Sequence, residues 1–483
     1  MKRFIYFLLI FFLCQFSLSA QTVTIAKHPA ITSHLQLLTT WIEEQRAYYG
    51  WPGIAVGIVY DQDLIWSAGF GFADLEKGLA MTPETVFRIA SITKLFTCTA
   101  MMQLRDQGKL RLDDPVQKFL PWFKIQNPFS NSPAITIRQL MTHTAGLPRE
   151  AAFPYWTDHQ FPTLEEIIQK LPNQELTYPP ETRWKYSNLG IALLGEIVAR
   201  VSGQDYAGYI EKNILHPLGM SSSSVQLTDE LQNRLATGYG RRLPDGTRKI
   251  MPLTDAKGLT PAANMSSTVK DLAKFIALQF RESDPNNDLV LKANSLREMQ
   301  RIHWLQPDWE SGWGLGFSIT HRNHRTFVGH GGWVAGYRSQ LSFCPEDKIG
   351  VVVFINAEDG SPSFLANHIY DTIAPAIRAA TKIQPSTTPP PSEWQSYLGR
   401  YSDPTDWEYE VMILNDRLVL YGFDYPPEDD PMAGIIELTP IAKHTFRMTG
   451  ENGNGEKLIF ELGTDGNVQR VKMGENFIYP IKR

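Results

Sequence analysis

The sequence predicts a mixed α/β fold of the α+β kind, in which one antiparallel sheet carries flanking helices and an inserted helical subdomain. A small all-β domain follows. Three observations predict this. Strand patterns stand at both ends of residues 21–383 with helical patterns between them. A proline-rich stretch, 384–392, then breaks the chain, and residues 393–483 read as short strands separated by turn residues.

The elements follow in order. Lys2 and Arg3 precede an apolar run from Phe4 to Leu13, and Ser17-Leu18-Ser19-Ala20 supplies small residues for cleavage. That combination reads as a signal peptide over 1–20, and it places the protein in the periplasm or outside the cell. The apolar run is too short to span about 30 Å of hydrocarbon. Cys14 would suit a lipoprotein, but Phe11-Phe12-Leu13 lacks the small residues such processing prefers.

Residues 31–50 read as a helix. Gly53–Tyr60 and Leu64–Phe70 read as strands around a turn at Asp61-Gln62-Asp63. A helix-rich stretch runs from Ser91 to Met299. Strands return at Thr326–Val328, Tyr337–Phe343 and Ile349–Ile355, and Ser363–Ala380 closes the domain as a helix. Beyond the linker, seven strands are expected: Tyr397–Tyr401, Glu408–Leu414, Leu418–Phe423, Thr445–Met448, Lys457–Leu462, Val468–Met473 and Phe477–Ile481. They suit an up-and-down barrel or a sandwich.

Lys+Arg of 46 against Asp+Glu of 51 gives a net charge of −5, with no basic block, so nucleic acid is not an expected partner. After cleavage only Cys98 and Cys344 of the 3 cysteines remain, too few for a disulfide framework. No His/Cys group has zinc spacing, and His321-Arg322-Asn323-His324 reads as a solvated turn. No metal or cofactor is implied. The mature chain shows no run suited to a transmembrane segment.

Three short segments can carry chemistry. In Ser91-Ile92-Thr93-Lys94 the serine and lysine share one face of a helix, and Ser91 falls in its first turn. A serine hydroxyl needs a neighbouring base, and a buried lysine loses its proton readily enough to serve. A second Ser-x-x-Lys, Ser267 to Lys270, is better explained as a cap: Ser267 or Thr268 opens a helix and Asp271 completes a capping box.

Tyr186-Ser187-Asn188 opens a helix that ends at Gly203. A tyrosine beside a lysine gives up its proton more easily and can shuttle it, and Asn188 offers an amide to hold a substrate carbonyl; an ordinary N-cap is the structural alternative. In Gly329-His330-Gly331-Gly332 the glycines let a substrate approach a strand. The N–H of Trp333 could join that of Ser91 in an oxyanion hole; the structural alternative is an edge bulge.

In this order the three segments resemble the penicillin-recognising serine hydrolases of the class C β-lactamase and D-Ala-D-Ala carboxypeptidase type. Their pattern is Ser-x-x-Lys, Tyr-x-Asn, and Lys/His-Ser/Thr/Gly-Gly on a strand. The likeness spans about residues 30–380 and includes Leu112-Asp113-Asp114-Pro115, Leu140 to Pro148 and Pro261 to Ser267. The tail is similar to the lipocalin-like domains that some members carry. The resemblance implies that Ser91 is acylated and Lys94 is its base partner. It makes Tyr186 the proton shuttle, Asn188 a substrate clamp and His330 the electrostatic element on the strand. It leaves His143 structural.

One departure bears on substrate. His330 and Gly331 stand where β-lactamases carry lysine and a hydroxyl residue, and His330 is only partly charged near neutral pH. Carboxylate recognition should be weak. There is no Glu-x-x-Leu-Asn deacylation motif. The reading is therefore an exported serine hydrolase acting on a small-molecule or peptide acyl substrate, foremost a peptidase or amidase on D-amino-acid or cell-wall peptides. A carboxylesterase, a hydrolytic β-lactamase and a penicillin-binding sensor that does not turn over are the alternatives.

Overall fold

The computed structural model describes residues 25–281, 289–381, 390–414, 417–422, 435–450 and 452–481. The expected signal peptide, most of the proline-rich linker and the turn at Asn415-Asp416 lie outside them. Chain contacts divide the protein into two compact units at 381/382.

In the first unit the chain enters through helix α1 (Pro29–Tyr49), whose buried Ile31, Leu35, Leu38 and Ile42 recur at helical spacing. Gly50 closes it in the left-handed region at φ 64°. Strands β1 (Gly53–Tyr60), β2 (Asp63–Asp74) and β3 (Leu79–Ala80) then form one edge of a nine-stranded antiparallel sheet. The remainder comes from the far end of the unit: β6 (Trp304–Leu305), β7 (Ser311–Trp313), β8 (Ser318–Arg322), β9 (Arg325–Val334), β10 (Tyr337–Cys344) and β11 (Ile349–Ile355). The two halves join where β1 pairs with β11, from Ile54↔Ile355 to Tyr60↔Ile349. The expectation of one sheet built from both ends is met.

A small ladder, β4 (Phe87–Arg88) with β5 (Ser266–Ser267), lies apart from this sheet. Helix α1 and the last helix of the unit, α5 (Pro362–Thr381), cover one face of the large sheet and share a core with alternate residues of β1 and β11. Against the other face lies α4 (Val269–Gln279), and it shares with α2 (Thr93–Asp106) and α3 (Asn188–Ser202) the larger core that includes the helical subdomain.

Two expectations need correction. Strands resume at Trp304, not Thr326, because β6 and β7 are too short to show a period of two. His321 and Arg322 end β8, and only Asn323 and His324, at φ 50° and 56°, make the turn.

The second unit is a closed barrel of eight antiparallel strands. They are β12 (Gly399–Ser402), β13 (Glu408–Leu414), β14 (Arg417–Gly422), β15 (Ile435–Ala442), β16 (Thr445–Thr449), β17 (Lys457–Leu462), β18 (Val468–Met473) and β19 (Asn476–Pro480). Pairing of β12 with β19 shuts it. Strand β15 escapes the sequence reading because Pro440 interrupts it and its second half is exposed. Tyr397 belongs to a 3-10 turn before β12, and its ring fills the barrel with Tyr401, Phe446 and Phe460.

Candidate active site

Ser91 does not sit in the first turn of an α-helix. It occupies a 3-10 turn, Ala90–Ile92, that leads into α2, and Ala90 just before it holds a left-handed φ of 48°. A residue with a β-carbon adopts that angle uncommonly and at a cost. Here the buried Ile89 and Ile92 fix the turn on both sides. Nζ of Lys94, one turn on, lies 3.0 Å from Oγ of Ser91 and donates to the Ala262 carbonyl at 2.7 Å. Lys94 is fully buried, and burial drives its pKa down to about 7; the nearby charge of Glu150 opposes the fall. The Pro261–Ser267 stretch serves this arrangement. Its Pro261 carbonyl accepts from Thr97 on α2, and Asn264 ties to Arg88 and to the backbone of Ala256.

The decoy motif is structural. Thr268, not Ser267, caps α4 through the N–H of Asp271. The Asp271 carboxylate does not return to the cap as a capping box requires; it accepts from Ser222 N–H and the Ser223 hydroxyl instead. Ser267 bonds Ser223 within the core, and Lys270 pairs with Glu84 at the surface.

Tyr186 reaches Ser91 from just before α3, whose N-cap Ser187 accepts from Gly190 N–H. The Leu140–Pro148 stretch braces this corner. His143 Nδ1 accepts from Ser187 N–H at 3.2 Å, and the Pro148 carbonyl accepts from the Ser187 hydroxyl at 2.7 Å. Gly146, at φ 70°, lies so close to the Tyr178 carbonyl that no side chain would fit. The Tyr186 hydroxyl hydrogen-bonds Ser91, and Nζ of Lys94 stands 5.0 Å from its ring centre. Contrary to the sequence reading, this tyrosine does not give up its proton easily: burial raises its pKa, and the bond to Ser91 only moderates the rise. A buried phenolate costs more than the nearby lysine, itself half-neutral at pH 7, can return.

Asn188 also departs from expectation. Its Nδ2 donates to both oxygens of Glu150, at 2.8 and 3.1 Å. Glu150 in turn accepts from the Tyr155 hydroxyl and from Arg149 Nε. The sequence reading missed Glu150 and Arg149. They directly follow the Leu140–Pro148 stretch, and no periodicity marks them.

Strand β9 brings the third segment. Its pairing with β10 runs without a bulge from Val328↔Phe343 to Val334↔Tyr337, which disposes of the bulge alternative. Pairing with β8 stops at Gly329, so among the described residues His330–Val334 have a strand on one side only. A Cβ on Gly332 would overlap the Ile89 carbonyl oxygen. Glycine is thus what lets β9 lie against the Ser91 turn.

His330 is buried, its Nδ1 sits 2.5 Å from the Gly331 carbonyl oxygen, and its pKa falls to about 3 through burial, aided by the charge of Lys94. It is neutral at pH 7, not partly charged. Trp333 is 55% exposed; its indole N–H donates to Glu358, and the Arg338 guanidinium packs 4.5 Å from its ring centre.

Ser91, Tyr186, Asn188, His330, Gly331, Gly332 and Trp333 line one open cleft of about 1310 Å³. Trp156, Trp184 and Trp313 add apolar wall that the sequence reading did not assign to the site. The beta-lactamase family pattern matches residues 38–374. The chain belongs to the beta-lactamase family.

This is a family of serine hydrolases, and the sheet, the helical subdomain and the order of the three motifs agree with membership. Beta-lactamase-like protein 2 of Dictyostelium discoideum is 33% identical over 310 residues, 63% of this chain and 56% of that protein. The chain thus spans little more than half of that relative's length. The octameric penicillin-binding protein homologue of Pyrococcus abyssi matches at a TM-score of 0.62 and 28% identity, over 92% of this chain and 99% of that one. A beta-lactamase/D-alanine carboxypeptidase from Yersinia pestis matches at 0.59 and 25%, over 71% and 99%. Among the described residues of this family member, no helix is long and apolar enough to cross a membrane.

Proposed function

We propose that this protein is an exported hydrolase that cleaves amide or ester bonds through an acyl-Ser91 intermediate, with peptides bearing D-amino acids as its foremost substrates. One observation carries the reading: Lys94 touches Ser91 Oγ while its pKa is held near 7, so a free base stands beside the nucleophile at neutral pH.

In the proposed cycle the Ser91 hydroxyl proton passes to Lys94 Nζ as Oγ bonds the substrate carbonyl carbon. The oxyanion that forms is held by the N–H groups of Ser91 and Trp333. Tyr186, as a neutral phenol, relays a proton from Lys94 to the departing nitrogen or oxygen. Water, deprotonated by the same lysine, then cleaves the acyl ester. The unpaired edge of β9 suits an extended peptide, which would add as a further strand. A neutral His330 puts no charge on that strand for a carboxylate, which favours such peptides or simple esters over β-lactams. The family likeness to a D-alanine carboxypeptidase supports the D-amino-acid preference. Export rests on the charged, apolar and small-residue segments of 1–20.

The test is a panel. Wild type and Ser91→Ala are assayed with D-amino-acid anilides, D-Ala-D-Ala peptides, p-nitrophenyl esters and a chromogenic cephalosporin. Turnover of anilides or peptides by the wild type alone is the expected result. Turnover confined to the cephalosporin would overturn the substrate assignment.

A further inference from the structure

Tyr186 stands in a stretch without regular secondary structure, just before α3, so no helix or ladder fixes its backbone. The backbone N–H groups on either side of it go instead to one residue. Lys185 N–H donates to the His143 carbonyl oxygen at 2.7 Å, and Ser187 N–H donates to His143 Nδ1 at 3.2 Å. The His143 imidazole also packs on the Tyr186 ring, with centres 4.4 Å apart and planes at 37°. Trp313 closes on both rings, 5.1 Å from His143 and 6.0 Å from Tyr186. His143 makes these contacts from a left-handed φ of 59°, which histidine tolerates better than most residues with a β-carbon. It is 1% exposed, and burial holds its pKa well below the usual histidine value, so at pH 7 the ring is neutral and Nδ1 stays an acceptor. His143 does not line the cleft, so it acts on a substrate only through Tyr186.

We propose that His143 is the positioning residue of the proton relay: it holds the Tyr186 phenol where its proton can reach the leaving group. This rests on the acyl-Ser91 reading, in which Tyr186 relays that proton, and deepens it. As the bond to the leaving group breaks, Tyr186 gives its hydroxyl proton to the departing atom and takes one from Lys94 Nζ, which received it from Ser91. A displacement of about 1 Å is enough to spoil such a transfer. The need for it differs between leaving groups. Ethoxide is strongly basic and must be protonated as it departs, whereas p-nitrophenolate leaves as the anion. Loosening Tyr186 slows the first and spares the second.

The experiment measures kcat/KM for two esters with one acyl group, the ethyl and p-nitrophenyl esters of N-acetyl-D-alanine. His143→Ala is expected to lose about tenfold or more on the ethyl ester and to stay within a few-fold of wild type on the p-nitrophenyl ester. In His143→Asn the side-chain oxygen takes the place of Nδ1 as acceptor, and asparagine suits a left-handed φ, so most of the ethyl-ester rate should return. Tyr186→Phe removes the relay itself. On that background His143→Ala should cost nothing further on the ethyl ester.

Equal losses on the two esters overturn the proposal, as a merely structural residue would give them. So does a His143→Ala loss of the same size with and without the Tyr186 hydroxyl. If His143→Ala does not fold, His143→Leu, which fills the space of the ring and accepts nothing, takes its place. Failure of that variant as well marks a residue needed for folding alone, and the proposal falls. The parent reading fails differently: Ser91→Ala that still cleaves both esters sinks the acyl-serine mechanism, and Tyr186→Phe that spares the ethyl ester sinks the relay, whatever His143 does.

Discussion

Ser339 donates its hydroxyl to the carbonyl oxygen of Ile89 at 3.0 Å, tying the middle of the sheet to the residue two places before Ser91. Gly332 pairs with Ser339 across the ladder, so it lies directly beneath this contact. A side chain on Gly332 would collide with both partners, whereas one on Gly331 would meet only the end of Gln340 at 3.1 Å. Gly332→Ala should therefore displace β9 or the Ser91 turn, at about 1–3 kcal/mol, with a lowered Tm and at least tenfold lower kcat/KM. Gly331→Ala should change neither by much. Equal tolerance of the two would show that the close approach has no bearing on the site.

Nucleophile identity is a labelling question. Ser91→Ala should abolish both turnover and covalent labelling by a fluorophosphonate. Ser267→Ala should leave both nearly intact, since Ser267 bonds Ser223 inside the core. The opposite pattern would reassign the nucleophile to the decoy.

The pH profile follows from Lys94. Its pKa is lowered to about 7, so the lysine carries a proton below that pH and cannot accept one from Ser91. Log kcat/KM should rise with unit slope up to about pH 7 and level off above it. Between pH 7 and the ordinary lysine range the unfolded chain holds a proton that the folded one lacks, so this group makes stability rise with pH across that window. Lys94→Met should remove that slope. His330, at about 3, should add no limb between pH 5 and 9, and His330→Ala should alter the height of the profile but not its shape. A limb that vanishes in His330→Ala would reverse the two assignments.

Carboxylate recognition can be restored by design. Gly331 is exposed and outside the left-handed region, so a threonine fits there without backbone strain. His330→Lys with Gly331→Thr should raise acylation by carboxylate-bearing β-lactams by about 1.5–3 kcal/mol, with little gain on neutral esters. The added cation should also push Lys94 lower and move the acid limb below pH 7. Wild-type protein that already hydrolyses cephalosporins faster than simple esters would refute the deficit on which this rests.

The division at 381/382 predicts a proteolytic outcome. Limited digestion should cut between the two units and release a hydrolase piece and a folded barrel, each with its own thermal transition. A single piece resisting cleavage there, or a barrel fragment without cooperative unfolding, would count against independent folding.

Local pattern carried much of this protein into view. The bounds of β1, β11, β13, β17 and β18 follow from runs of β-branched and aromatic residues between turn signals, and helix α3 from apolar spacing and its closing glycine. Ser91 and Lys94 were legible because three residues of helix place them on one face, and the order of the three motifs named the family. Those features depend on residues near one another in the chain.

Only the tertiary structure decided the ionisation states and the orientation of the Asn188 amide. The pKa values of Lys94, Tyr186 and His330 are set by burial beneath elements far away in sequence, and Coulomb interaction with those elements has no trace in a local pattern. The same holds for Glu150: 38 residues separate it from Asn188, and nothing in its neighbours shows that its two oxygens meet that amide. Hydrogen bonds and desolvation act through space over a few ångströms, so a linear sequence reveals them only where the chain happens to be local.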